Sequence, residues 1–294
     1  MLDELTKRIR ALRDAGGGTL ELGEGLYEID RPLVLPGPVS LLMKPHTVIR
    51  AMPGFQGEAV VIKDAGEGSS VHEPSGWIRG GIIDGGRQPV TGLKIGYASR
   101  LEIAELEVRD ATYKGIHASA RGYEVNLTSV RVNVDLNTHY APGSVGIHYE
   151  KCGDSLVRGA TVIGYETGLR SDTWANDFSQ VHVWNYDPDQ GPMTYCFHAN
   201  GAFDSYTQCY ADSPTLAGFY VTNRCNRVTS CRIYYSRWAP NNAGAGVLVG
   251  PEGINGVYLA NTFLWDKDHV LAKKYDGHLD SAQILGDNEA VVPS

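Results

Sequence analysis

The chain lacks the features that mark several protein classes. Nowhere in its 294 residues does an apolar run approach the roughly 18 positions that a membrane-crossing helix needs. Basic residues are the minority charge, 26 Lys and Arg against 34 Asp and Glu, for a net charge of −8. A chain of this balance has no global basic footprint for duplex nucleic acid, so neither a nucleic acid nor a membrane is an expected partner. Cysteine is sparse and odd in number (Cys152, Cys196, Cys209, Cys225, Cys231) with no CxxC, which signals neither zinc nor a disulfide framework. The cysteines are expected to be reduced and mostly buried. GxSxG, HExxH, Walker and dinucleotide signatures are absent too, and no cofactor is expected. The opening MLDELTKRIRALRDAGGG places Asp3, Glu4, Lys7, Arg8 and Arg10 where a secretory signal would be apolar. Those residues do not encode export by that route, and the compartment stays open.

Glycine, by contrast, is plentiful. Its 35 copies follow no G-x-y period, which excludes collagen and favours turn-rich β structure. An apolar triplet φ-x-x-φ-x-φ recurs roughly every 20–31 residues. Ile103/Leu106/Val108, Leu127/Val130/Val132, Val157/Ala160/Val162, Phe178/Val181/Val183, Tyr206/Cys209/Ala211, Val228/Cys231/Ile233 and Leu259/Thr262/Leu264 are its clearest copies. A second motif, Gly-φ-X, follows each one, as in Gly115-Ile116-His117, Gly146-Ile147-His148, Gly168-Leu169-Arg170 and Gly218-Phe219-Tyr220. Each unit holds two or three short strands, and none carries the 10-residue amphipathic stretch of a βα repeat. Stacked coils of a parallel β-solenoid meet these constraints, with the triplets forming a dry column between rungs about 4.8 Å apart. Leu2, Leu5, Ile9 and Leu12 lie on one face at helical spacing, so residues 1–18 are expected to form a capping helix and 19–294 the solenoid.

The segment GGGTLELGEGLYEIDRPLVLP, with the preceding helix and the later coils, resembles the opening of the pectate-lyase-like proteins, whose fold is a single-stranded right-handed parallel β-helix. That superfamily contains pectin-degrading lyases and hydrolases, phage tailspike depolymerases and inulin fructotransferases. The resemblance implies an all-β fold, a polysaccharide or oligosaccharide partner and a homotrimer. It implies no catalytic residues, because the polygalacturonase strings NTD, DD and GHG and the alginate-epimerase pattern YGxDPH do not occur.

Candidate site residues follow from the repeat itself. If φ of Gly-φ-X points inward, X and X+2 point outward on one face. Stacking then gives one column of Lys94, His117, His148, Arg170, His198, Tyr220 and Leu248, and a second of Gly96, Ser119, Glu150, Asp172, Asn200, Thr222 and Gly250. Titratable groups are denser here than a solvated face requires. Every second coil also extrudes a long loop on the same edge (VDLNTHYAPGSV, WNYDPDQGPMTY, YSRWAPNNAGAG), which is expected to bring Tyr140, Tyr186, Tyr195 and Trp238 beside the columns.

Glu150 and Asp172 would stand on adjacent rungs, close to the ~5–5.5 Å carboxyl separation of retaining glycosidases. At that distance one carboxyl is expected to keep its proton as general acid while the other stays ionised, with Arg170 and His148 biasing the choice. The expected catalytic set is therefore Glu150, Asp172, His148 and Arg170. His117, His198, Asn200, Tyr220, Lys94 and Trp238 are expected to bind substrate. A metal is not expected, although His117, His148 and Glu150 lie near enough for a weak site, and the Asp187-Pro-Asp189 turn reads as polar, without the bidentate Glu of a calcium loop.

Three functions fit. Cleavage or rearrangement of glycosidic bonds through the carboxylate pair leads. β-Elimination from a uronic acid polymer would instead use Arg170 and Lys94 to neutralise the carboxylate and a histidine or Tyr220 to take the C5 proton. A non-catalytic glycan-binding or phage tail component is the third, and the acidic turns at Asp110, Asp135, Asp187 and Asp212 are the alternative location for chemistry.

Overall fold

The structure is a computed structural model that describes residues 1–67, 74–135, 140–185, 193–235, 245–265, 273–280, 282–285 and 290–291. Short strands wind through three parallel sheets, of 12, 11 and 10 strands, and each coil contributes to all three in turn. The result is a right-handed parallel β-helix. One coil serves as example: Ala98–Ala104 lies in the first sheet, Glu107–Ala111 in the second and Lys114–Ala118 in the third.

The two sequence motifs divide this coil between them. The first triplet residue faces inward from the first sheet, the third from the second sheet, and φ of Gly-φ-X from the third. The expected triplet Leu259/Thr262/Leu264 is the exception, one residue out of frame, because Leu259 is exposed and Tyr258 and Phe263 are the buried residues that pair with Val228 and Ile233. Ile103, Val108 and Ile116 are all fully buried. The middle residue fills the corner between the first and second sheets. Every such corner turns on one residue in the left-handed region, among them Glu105 (φ 56°), Ser129 (φ 53°), Gln180 (φ 55°), Gln208 (φ 54°) and Ser230 (φ 53°). A single residue of opposite hand is the shortest way to swing the chain from one sheet into the next. The third-sheet stack has the expected register: Ile116, Ile147, Leu169, Phe197 and Phe219 pair rung by rung and are all buried. Phe197 and Phe219 lie face to face, ring centroids 4.5 Å apart.

The glycine of Gly-φ-X marks a close approach, not an unusual φ. A Cβ on Gly168 would stand 2.1 Å from Val183 Cγ1 and 2.7 Å from the Cys196 carbonyl oxygen, and Gly115 and Gly146 meet Val132 and Val162 in the same way. Cys196 is the one Gly-φ-X position with a side chain in these coils, and there the facing second-sheet residue is Ala211 where its neighbour is Val183. Space lost on one strand is returned on the other.

Helix Leu2–Asp14 buries Leu2, Leu5 and Ile9 in the same core as the first coil, with Leu12 packed beside them. Polar groups also enter the interior. Lys63 is fully buried, and its Nζ donates to the carbonyls of Pro36, Gly37 and Val39 at 3.0, 2.8 and 2.6 Å. At the corner leading into the first sheet, Ser155, Asn176, Asp204 and Asn226 form a buried ladder in which each accepts the backbone N–H of a residue one coil earlier, Asn176 from Ser155, Asp204 from Asn176, Asn226 from Asp204. Cys152, Cys196, Cys209 and Cys231 are buried and all five thiols are free, as expected.

Candidate functional site: a histidine and carboxylate strip on the third sheet

Because φ is anchored inside, the X residues emerge from the third sheet in one line. Lys94, His117, His148, Arg170, His198, Tyr220 and Leu248 are paired rung to rung in that order. One position beyond each strand, Ser119, Glu150, Asp172, Asn200 and Thr222 continue the ladder through backbone hydrogen bonds to the preceding rung. Both columns therefore have the register read from the sequence.

Between the columns the side chains pair in a stagger. His117 Nε2 lies 2.8 Å from Glu150 Oε2, one rung on, and His148 Nε2 lies 2.8 Å from Asp172 Oδ2, again one rung on. Asp172 also accepts from Arg170 Nε at 2.8 and 3.0 Å and from Asn200 Nδ2 at 2.9 Å. Farther along, Thr222 Oγ1 donates to Asn200 Oδ1 at 2.8 Å and lies 3.3 Å from His198 Nε2. The imidazoles of His117 and His148 stack with centroids 5.0 Å apart and planes 8° from parallel.

This geometry departs from the expectation that one carboxyl of the Glu150 and Asp172 pair keeps its proton while the other stays ionised. Each carboxylate is bound to its own histidine. Burial opposes ionisation of Asp172, yet hydrogen bonds from His148, Arg170 and Asn200 hold it well below the usual carboxylate range. Burial also opposes ionisation of Glu150, and the His117 hydrogen bond overcomes it, so this carboxyl too is lowered. Neither is poised as a general acid near neutral pH.

The histidines move the other way. Burial lowers His117 to about 4, helped by Lys114; burial lowers His148; and burial with the Arg170 charge lowers His198 to about 4. All three are neutral imidazoles at pH 7. Carboxylates accept only, so Nε2 of His117 and His148 carries the proton and Nδ1 keeps a lone pair. His148 Nδ1 is buried without a hydrogen-bond partner. His117, His148 and Glu150 present ligand atoms within 4.8 Å of one another. Lone pairs lie in the plane of each imidazole, and the near-parallel rings do not converge them on one ion.

Other expected residues fall around the strip. Lys94 Nζ pairs with Glu58 Oε1 at 2.5 Å, and Tyr220 stacks between His198 (4.9 Å) and Tyr195 (4.7 Å). Burial raises Tyr195 and Tyr140, both of which feel the charge of Glu166. Tyr186, Asp187 and Trp238 lie outside the described residues. Lys114 was not legible as a site residue. It opens its strand at an inward position, but its Nζ reaches to 3.3 Å from His117 Nε2, and burial lowers its pKa. A rule counting only X and X+2 passes over a long side chain that bends around the strand end.

No protein-family model matches this sequence, and neither does any curated protein. The fold is a right-handed parallel β-helix, as the sequence resemblance implied, and solved structures share it across nearly the whole chain. The A-module of mannuronan C-5 epimerase AlgE4 from Azotobacter vinelandii superposes with a TM-score of 0.59 at 16% identity, over 97% of this chain and 94% of that one. A variant tailspike protein of E. coli bacteriophage HK620, in complex with a hexasaccharide, gives 0.64 at 12% identity, over 99% of this chain and 62% of that one. ORF18 of Geobacillus virus E2 gives 0.58 at 16% identity, over 97% of this chain and 56% of its own length.

Proposed function

We propose that the protein is a polysaccharide-processing enzyme that abstracts the C5 proton of a uronic acid residue and completes a β-elimination on the third-sheet strip. The observation that carries this reading is the neutral state of the histidines beside Lys94, Lys114 and Arg170. A uronate carboxylate set on Arg170 would have its negative charge neutralised, which lets the adjacent carbanion form as an enediolate. His198, one rung from Arg170 and bound to no carboxylate, takes the proton. Pairing of Arg170 with the substrate also removes the positive charge that depresses His198, so binding raises the basicity of the base. The electron pair left at C5 forms the C4–C5 double bond, the C4–O bond breaks, and the departing oxygen takes a proton from Tyr195, whose raised pKa keeps its hydroxyl protonated. Asp172 holds His148, Arg170 and Asn200, and through Asn200 and Thr222 it fixes His198.

The resemblance to an epimerase of a uronate polymer supports the proton-abstraction step, and the tailspike in complex with a hexasaccharide supports a saccharide lying along a β-helix. Glycoside hydrolysis through Glu150 and Asp172 is disfavoured by the ionised state of both carboxyls. Incubation with a panel of uronate-containing polymers tests the reading. An unsaturated, ultraviolet-absorbing product that disappears in Arg170→Ala and His198→Ala supports it. New reducing ends without that absorbance, lost in Glu150→Gln or Asp172→Asn, would restore the hydrolase reading, and binding without any product would leave a glycan-binding protein.

A further inference from the structure

Around the corner from the strip, on the second sheet, a cavity of about 510 Å³ opens over a different column. Arg50, Asp84, Arg109 and Asn133 occupy consecutive rungs there. Asp84 is almost fully buried and forms the floor: its Oδ2 receives Arg50 Nε at 2.9 Å and Arg109 Nε and Nη2 at 3.0 Å, while its Oδ1 accepts the Gly86 N–H at 2.9 Å. That carboxylate is spent on holding two guanidinium groups in place. Each arginine is still about one-third exposed, which leaves its outer N–H groups turned to the opening. On the rung after Arg109 the Asn133 carboxamide lines the same opening, its Oδ1 without a partner, and Asp110, which accepts the Asp135 N–H through one oxygen, lines it too.

Rigid donors and acceptors thus line one space within the ~300–1,000 Å³ range of small-ligand sites. Among the described residues no aromatic or aliphatic side chain lines it, which disfavours apolar and stacking ligands. Three arginines are set against four carboxylates, so the cavity is not an anion trap. The ligand that fits is uncharged and carries several groups that both donate and accept. We infer that this cavity is a second saccharide site, taking one or two neutral sugar residues through bidentate contacts from Arg50, Arg109, Asn133 and Asp110 to vicinal hydroxyls. Arg109 and Lys114 stand on consecutive strands of one coil, so a bound polymer turning this corner reaches the third-sheet strip, and two weak contacts act as one strong one.

Saturation-transfer NMR on the full chain, with neutral gluco-, galacto- and manno-oligosaccharides, tests this. At least one should receive saturation. Asn133→Phe, which fills the cavity, should weaken it about tenfold or more; Asn133→Ala, which removes the carboxamide, should weaken it severalfold without adding bulk. His198→Ala should leave it unchanged. No transfer to any neutral sugar, transfer lost in His198→Ala but kept in both Asn133 variants, or displacement of the sugar by inorganic sulfate would each overturn the assignment. Ultraviolet product formation is read separately, so failure of the elimination reading does not count against this site.

Discussion

Asp204→Asn should stabilise the protein, and by an amount that depends on pH. Asp204 is fully buried in the corner ladder, one oxygen accepting the Asn176 N–H and the other without a hydrogen-bond partner. One coil later the same position is Asn226, whose amide donates to the carbonyls of Gly201 and Asn223 at 2.8 and 2.9 Å. Burial outweighs the hydrogen bonds from Asn176 and raises Asp204 from 3.8 to about 7. The unfolded chain releases this proton near pH 4, the folded chain only near pH 7. The contribution of Asp204 is therefore fully present below pH 4, is lost as pH rises toward 7, and stays lost above it. Three units at about 1.4 kcal/mol each make the ionised group a liability on the order of 4 kcal/mol at pH 8. Asparagine does not titrate. The variant should match the wild type near pH 4 and exceed it by up to about 4 kcal/mol at pH 8, a melting-point gain on the order of 8 °C for a chain of this size. Urea or thermal denaturation of both proteins across that range measures it. An equal difference at both ends, or a variant less stable at pH 8, would falsify the buried-acid argument.

Other outcomes follow from the packing and the strip. Ala211→Val should destabilise by about 1–3 kcal/mol, because the added methyl groups enter the space given to Cys196, and Cys196→Gly should restore most of the loss in a double-mutant cycle. Lys63→Met should lower stability by about 2–4 kcal/mol in denaturant titrations, since three buried carbonyls lose their donor. On a uronate polymer, kcat/KM should hold from pH 8 down to about pH 5 and fall as His198 takes a proton near 4, whereas a histidine of ordinary basicity would lose activity already near pH 6.5. Asp172→Asn should cost about 10²–10³-fold in turnover, more than Glu150→Gln, because it releases Arg170 as well as His148.

The repeat was readable because burial writes itself at fixed offsets. Ile103, Val108 and Ile116 must be apolar for the coil to close, and two more positions then count outward to the strip. That arithmetic placed His148 and Arg170 on neighbouring rungs and Glu150 above Asp172. It said nothing about which side chain leans toward which rung, and that lean turned an expected carboxylate pair into two histidine–carboxylate pairs. Lys114 was hidden for a related reason, since its backbone belongs to the inward set while its ammonium does not. The second-sheet cavity was marked only by the acidic turn residues Asp110 and Asp135; the pairing of Arg50 with Asp84 spans 34 residues and has no local signature.

The histidine–carboxylate pairs of the strip all step the same way, His117 to Glu150 and His148 to Asp172, never back. Two successive pairs that lean toward one end give the face a direction. Polysaccharides are vectors too, with a reducing and a non-reducing terminus. A chain laid on this face in one sense presents its donors and acceptors in step with the rungs, and reversed it presents them out of step. On the proposed reading, the side-chain stagger selects the polarity of a bound chain before any sugar is recognised for what it is.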